Sequence, residues 1–141
     1  MTTDSTRKLH HIVPSWVADG AVFHIRGSVS AEQRQSLTEA RLAKALLQSA
    51  VYYHNIGRWY CHLFLLMPDH WHSLMSFPAD SKMSAVIGRW KAWQHHTLGI
   101  GWQINFFDHR IRNNLEYELK AAYIRQNPVV KGLCSNPADW P

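Results

Sequence analysis

Cysteine is scarce in this chain of 141 residues. Its two thiols, Cys61 and Cys134, stand at no metal or disulfide spacing, which argues against a stapled or cysteine–zinc fold and for a reduced, cytoplasmic setting. Long apolar runs are missing too. Stretches such as Leu63 to Met67 fall far short of the roughly 20 residues that span a bilayer, so no membrane association is expected. The opening MTTDSTRKLHH has no hydrophobic stretch of signal-peptide type. No repeat, low-complexity run or linker interrupts the sequence, and one domain over residues 1–141 is expected.

Acidic side chains are the minority charge. Ten Asp and Glu face fifteen Lys and Arg, giving a net charge of +5, and ten histidines stand ready to add positive charge or bind metal. With 46% hydrophobic and 12% aromatic residues the chain can bury a real core, which excludes a disordered chain. A small, basic, aromatic-rich domain suits a polyanionic partner, and equally a soluble domain whose surface happens to be basic.

The pattern along the chain predicts seven elements. Gly20 to Val29, rich in β-formers and bounded by glycine, reads as a strand. A helix follows from Ser30, its expected N-cap with Gln33 as capping-box partner, to a stop at Gly57. Arg58 to Met67 is a strand, Pro68-Asp69 a turn and His70 to Phe77 the return strand. Lys82 to Gly99 is a second helix, with Met83, Val86, Ile87, Trp90 and Trp93 near helical spacing. Trp102 to Arg112 is a strand, and a third helix is expected to end at Asn127, before Pro128. The order β-α-β-β-α-β-α predicts an α+β, ferredoxin-like antiparallel sheet with helices packed on one face.

Within the predicted hairpin, LLMPDHWHSLMSF sets two histidines either side of a tryptophan. Strand alternation puts His70 and His72 on one face, with Leu65 and Met67, and Trp71 and Ser73 on the other. Two imidazoles so placed can share a divalent cation, or each can be satisfied by backbone or a carboxylate. Asp69 is expected to serve the turn, His62 to fall on the face opposite the pair, and His10-His11, His54 and His95-His96 to be solvated.

The third helix carries the other candidate groups. At about 100° per residue, Leu115, Leu119 and Ala122 form one apolar stripe, with Tyr117, Ala121 and Ile124 nearly opposite. Glu116, Lys120, Tyr123 and Asn127 fall between them, Tyr123 and Asn127 one turn apart. Periodicity leaves two roles open for Tyr123: a core-edge aromatic, or a phenol working with an amide and a lysine.

The separated stretches MPDHWH, FFDHRIR, YIRQNPVVKGL and DWP, and more loosely PSW…G…VFHI from Pro14 to Ile25, resemble the REP-associated tyrosine transposases. These belong to the single-tyrosine, IS200-like branch of the histidine–hydrophobic–histidine endonucleases. The stretches occur in the family's order over nearly the whole chain.

The resemblance implies a ferredoxin-like fold with the histidine pair on a central strand and the tyrosine on a helix packed against it. It implies His70, His72 and Asn127 as ligands of Mg²⁺ or Mn²⁺, and Tyr123 as the nucleophile. The implied product is a 5′-phosphotyrosine link, and the implied substrate single-stranded DNA bearing a hairpin. Lys120 is expected to help the phenol ionise. Arg89, Lys91, His109, Arg110, Arg112 and Lys131 are the expected DNA contacts, with Trp90 and Trp93 as candidate stacking surfaces. Position 130 is Val130 where relatives often have arginine, with Lys131 following, so a backbone-phosphate contact of the family is expected to be missing or moved, which bears on DNA-binding strength and not on the chemistry. The resemblance admits a monomer or a homodimer. Two other functions share these residues: a relative that binds hairpins without cutting them, and a small metal-dependent phosphoesterase in which Tyr123 is merely packed.

Overall fold

The computed structural model describes residues 14–130. Four strands, β1 (Val22–Ser28), β2 (Tyr60–Leu66), β3 (His70–Ser76) and β4 (Phe107–Ile111), form one sheet in the order β2-β3-β1-β4. Every neighbouring pair is antiparallel. The helices are α1 (Ala40–Asn55), α2 (Met83–Leu98) and α3 (Asn114–Val130). This is the expected ferredoxin-like α+β order, with α3 added after the last strand.

Two apolar layers explain where the helices sit. Odd-numbered β3 residues, Trp71 and Met75, join Ile25 of β1 in a core with Leu42, Leu46 and Ala50 of α1 and Val86, Ile87 and Trp90 of α2. Leu74 and Val22 point the other way, into a second core with Leu65, Met67, Ile111 and, from α3, Ala121 and Ile124. One face therefore carries α1 and α2, as expected, while α3 covers the opposite face. All seven residues of β3 are buried as a result.

Gly27 sits opposite Trp71 in the β1–β3 register, and a Cβ there would overlap the indole. The missing side chain lets Trp71 lie flat across β1 and meet Trp90 and Trp102 at centroid distances of 5.2 and 5.1 Å.

Three boundaries differ from the pattern. The first helix begins at Ala40, capped by Glu39, whose carboxylate accepts from Arg41 N and Leu42 N at 3.2 Å. Ser30 and Gln33 do not cap it. Ser30 N donates to Gly101 O at 2.8 Å, and Gln33 Oε1 accepts from Gly101 N at 2.8 Å, so both tie an extended loop to the segment after α2. Leu37, fully buried, anchors the far end of that loop through Leu37 N to Pro68 O at 2.9 Å.

The last strand starts at Phe107 rather than Trp102, which makes an isolated bridge to Val29. Helix α3 runs through Pro128 to Val130 instead of ending at Asn127. Proline removes one N–H and so leaves the carbonyl four residues back without its donor. In the last turn that is a single lost bond, and burial of Ile124 and Asn127 holds the helix down.

Candidate functional site

The open question is what α3 brings to the histidine face of β3. His70 and His72 are 4% and 3% exposed, with ring centroids 4.9 Å apart and planes nearly perpendicular. Each Nδ1 has a protein partner. Asp69 Oδ1 lies 2.7 Å from His70 Nδ1, so the turn aspartate is also the carboxylate that orients the histidine. That hydrogen bond is the main reason the Asp69 pKa lies below its ordinary value. His72 Nδ1 lies 3.0 Å from Nε2 of His24, a β1 residue 4% exposed. With both Nδ1 atoms engaged, Nε2 is the nitrogen through which either ring would take a cation, and the partner fixes the ring's orientation.

His24 was not among the expected site residues. It lies in the loosely matching VFHI stretch, and parity gives a second signal: Val22, His24 and Arg26 alternate onto the face that pairs with Leu74 and His72. Burial first, then the positive charges of Lys120, His109 and Arg26, push its pKa down to about 4. The imidazole is therefore neutral at neutral pH, in a field that favours anions.

From α3, Tyr123 presents its ring 6.0 Å from that of His72, edge to face, and is 55% exposed. It is thus neither packed in the core nor remote from the histidines. The Lys120 ammonium lies 5.8 Å from the Tyr123 ring centroid. Asn127, one turn on, is 4% exposed, and its Oδ1 has no hydrogen-bond partner among the described residues. An unsatisfied buried acceptor costs roughly 1–3 kcal/mol, a cost that a bound cation would remove. Two imidazoles and an amide oxygen fit a divalent cation, and three protein donors leave coordination positions for substrate oxygens. Among the described residues no group of three or more His, Cys, Asp or Glu side chains is placed to hold a metal, so a third donor beside His70 and His72 would have to be of another type, such as the Asn127 amide.

The start of α3 is pinned by Glu116. Asn113 Oδ1 caps Glu116 N at 2.9 Å, and the Glu116 carboxylate accepts from Arg112 N at 2.7 Å and meets His109 Nε2 at 2.8 Å. Of the two faces of α3, the core takes Tyr117, Ala121 and Ile124. Leu115 and Leu119 are left 57% and 63% exposed.

The expected DNA contacts divide. Arg112 is exposed on the α3 side, its Nε 3.4 Å from Glu116 Oε1, and His109 is held by the same carboxylate. Arg110 pairs with Phe23 in register and so lies on the α1–α2 side of β4. Arg89 lies on α2, across the sheet from Tyr123. Lys91 is not a surface cation: it is 8% exposed and its Nζ donates to Gln103 O at 2.6 Å and Ile104 O at 3.3 Å. It was expected at the surface of the second helix, but the loop before β4 folds over it. Trp90 is core, while Trp93 is half-exposed. His10-His11, Lys131, Cys134 and the closing DWP lie outside the described residues.

His62 is a second correction. A bulge between Cys61 and Leu63 shifts the β2–β3 register and turns its ring onto the α3 face, against Tyr117 at 5.8 Å and Ser76 Oγ at 2.9 Å. A bulge reverses parity from that point, which alternation alone does not anticipate.

No family model matches the chain. A REP-associated tyrosine transposase of Escherichia coli K12 is 32% identical over 81 residues, which cover 55% of this chain and 49% of the relative. The chain thus spans about half the length of the curated relative it matches. A solved structure, a REP-associated tyrosine transposase bound to a REP hairpin, superposes with a TM-score of 0.75 at 23% identity, over 92% of this chain and 79% of the other. This chain is therefore similar in sequence, over about half its length, to a REP-associated tyrosine transposase, and it has the fold of one.

Proposed function

We propose that the chain is a metal-dependent single-stranded DNA endonuclease and strand transferase that acts on hairpin DNA through a 5′-phosphotyrosine intermediate. The observation that carries this reading is the half-exposed Tyr123 ring 6.0 Å from the buried His72 ring, on a face lined by a buried histidine pair. A tyrosine serving only the core would be covered, and histidines serving only the core would not need an exposed phenol above them. The likeness to a transposase in complex with a hairpin supports the class of substrate.

His70, His72 and Asn127 would hold Mg²⁺ or Mn²⁺, which when bound polarises a phosphoryl oxygen and offsets charge building up on it. Tyr123 Oη attacks phosphorus, forming the Oη–P bond as the P–O3′ bond breaks. The phenol gives up its proton, and the departing 3′-oxygen gains one. The product keeps the phosphodiester's bond energy in a covalent link, so a second 3′-hydroxyl can reverse the step with no added energy source. A phenol is almost wholly un-ionised at neutral pH, and the nearby Lys120 ammonium stabilises charge appearing on Oη. Burial of both histidines and the Asp69 and His24 bonds hold the rings in place before substrate arrives.

The test is end-labelled single-stranded DNA, with hairpins and unpaired flanks from palindromic repeats near the gene, incubated with Mg²⁺ or Mn²⁺. A protein–DNA band that survives denaturation and vanishes in both Tyr123→Phe and His70→Ala is expected. Binding without any band, across repeats and both metals, overturns the chemistry and leaves a non-cleaving hairpin-binding protein. A hydroxyl-terminated product with no adduct points instead to a phosphoesterase.

A further inference from the structure

Helices α1 and α2 pack on the face of the sheet away from Tyr123, and the seam between them is hollow. Toward one end lies a cavity of about 450 Å³, walled by Ala45, Tyr52, Trp90 and Trp93. Toward the other end a cavity of about 260 Å³ has Arg58, Lys82 and Arg89 on its walls. The two share Tyr53 and Arg89, so they form one groove, apolar at one end and cationic at the other.

The core beneath holds this groove open. Ser49 Oγ, on α1, accepts from Trp90 Nε1 at 3.1 Å and Gln94 Nε2 at 2.7 Å, which fixes the spacing of the two helices. The apolar side chains of the rim lie open: Tyr52, Ile56 and Trp93 are 60%, 45% and 50% exposed. The charges are unmatched. Asp80 is the one carboxylate on the walls, and among the described residues none of Arg58, Lys82 and Arg89 is within ion-pair distance of an acid. A contiguous apolar patch rimmed by polar groups is the mark of an interaction surface.

We propose that this seam docks an acidic amphipathic helix of a partner protein, its apolar anchors on Tyr52, Trp90 and Trp93 and its carboxylates on Arg58, Lys82 and Arg89. From Ala45 to Ile56 the seam follows α1 for about 16 Å, room for about three helical turns with anchors at i, i+4 and i+7. Charge selects among the occupants. A second copy carries a net charge of +5, and residues 1–13 carry Arg7 and Lys8 against Asp4, so both bring the wrong sign. Residues 131–141 continue from α3, which packs on the other face of the sheet. A nucleic-acid strand repeats its phosphates along its whole length, whereas the cations here are gathered at one end. The site is independent of the chemistry proposed for Tyr123, and a partner held here leaves the α3 face open.

The test is a phage-displayed library of helical peptides about three turns long, selected on the native chain and counter-selected on a Tyr52→Ser, Arg58→Glu chain. Both positions are exposed, and circular dichroism with thermal melting checks that the variants fold. Enriched peptides are expected to carry apolar residues at i, i+4 and i+7 and Asp or Glu toward one end. A synthetic peptide from that pool should bind the native chain saturably in fluorescence anisotropy, and each single variant about tenfold more weakly. The same peptide with its acids replaced by lysine should prefer Arg58→Glu to the native chain, a reversal that loss of fold cannot produce. No enrichment, enrichment without acidic bias, or equal binding to native and variant chains overturns the proposal. Displacement of the peptide by unstructured single-stranded DNA also overturns it and assigns the seam to nucleic acid. Self-association of the native chain that the peptide abolishes overturns it in favour of a second copy.

Discussion

His24 Nε2 lies 3.0 Å from His72 Nδ1, and the two buried rings stack at 5.2 Å with 25° between their planes. Only one proton can lie between those nitrogens. If it belongs to His72, that ring's Nε2 carries a lone pair and can take a cation. If it belongs to His24, His72 is protonated on Nε2 and cannot. Metal binding, as proposed, would select the arrangement in which His24 accepts, which moves its own proton to Nδ1, a buried atom with no partner among the described residues. On the proposed metal reading, that unsatisfied group beside His72 is tolerated because it would hold the ring in the tautomer a cation needs.

At the proposed metal site, replacing His24 should then weaken the metal without removing any of the proposed ligands. His24→Ala is expected to lower Mn²⁺ affinity ~10–100-fold, the usual effect of losing such a partner. His24→Gln, whose amide oxygen can still accept from His72, should recover part of it. Free Mn²⁺ measured by electron paramagnetic resonance during a titration reads this without any turnover. Equal affinity in all three chains would show that His24 only fills space.

The contrast between His72 and His24 shows what was legible in the sequence. Strand alternation around Trp71 was enough to pair His70 with His72 and to assign Leu65 and Met67 to their side, because a tight hairpin preserves parity across the turn. His24 is separated from His72 by 48 positions, and only the β1–β3 register makes them neighbours. Register between non-consecutive strands leaves no local mark. Lys91 fails for a related reason: its helix position was right, but the loop that covers it comes from residues 103 and 104. Tyr123, Lys120 and Asn127 were legible as one helical strip because a single element carries all three.

Lys91→Met is a direct check on that reassignment. Methionine keeps the buried stem and removes the ammonium, leaving the Gln103 and Ile104 carbonyls without their donor. A loss of stability of ~1–3 kcal/mol is expected from urea unfolding. Affinity for hairpin DNA and its salt slope should stay as in the native chain, since no phosphate contact is lost. A reduced slope in Lys91→Met would return this lysine to the DNA surface.

Gly27→Ala tests how the main core is assembled. A methyl group at this position meets the Trp71 ring, which is fully buried between Phe64, Trp90 and Trp102. Neither the strand nor the indole can give way cheaply, so ~1–3 kcal/mol of destabilisation is expected, as for other overpacked cores. Trp71→Leu in the same chain should restore part of the loss, because it removes the ring that the methyl strikes. Thermal melts of the two single changes and the double settle it, and strictly additive losses would place the strain elsewhere.

Acid should unfold the protein partly through His62. Burial, with a smaller contribution from His54, lowers its folded pKa from the ordinary 6.5 to about 4. Between those values the unfolded chain binds a proton that the folded chain refuses, so ν for the unfolded state is the larger and stability rises with pH. As pH falls from about 6.5 towards 4 this histidine steadily destabilises the fold; above that window it contributes no slope, and below it no further loss. His24, also held near 4, adds a second slope over the same range. His62→Gln keeps a hydrogen-bonding group against Ser76 and removes the titration. In metal-free buffer, urea midpoints from pH 7.5 down to 4.5 should fall less steeply in His62→Gln than in the native chain, the two curves converging or crossing toward the acid end. A constant offset at every pH would mean that His62 does not change its proton on unfolding, and would assign the acid sensitivity to other groups.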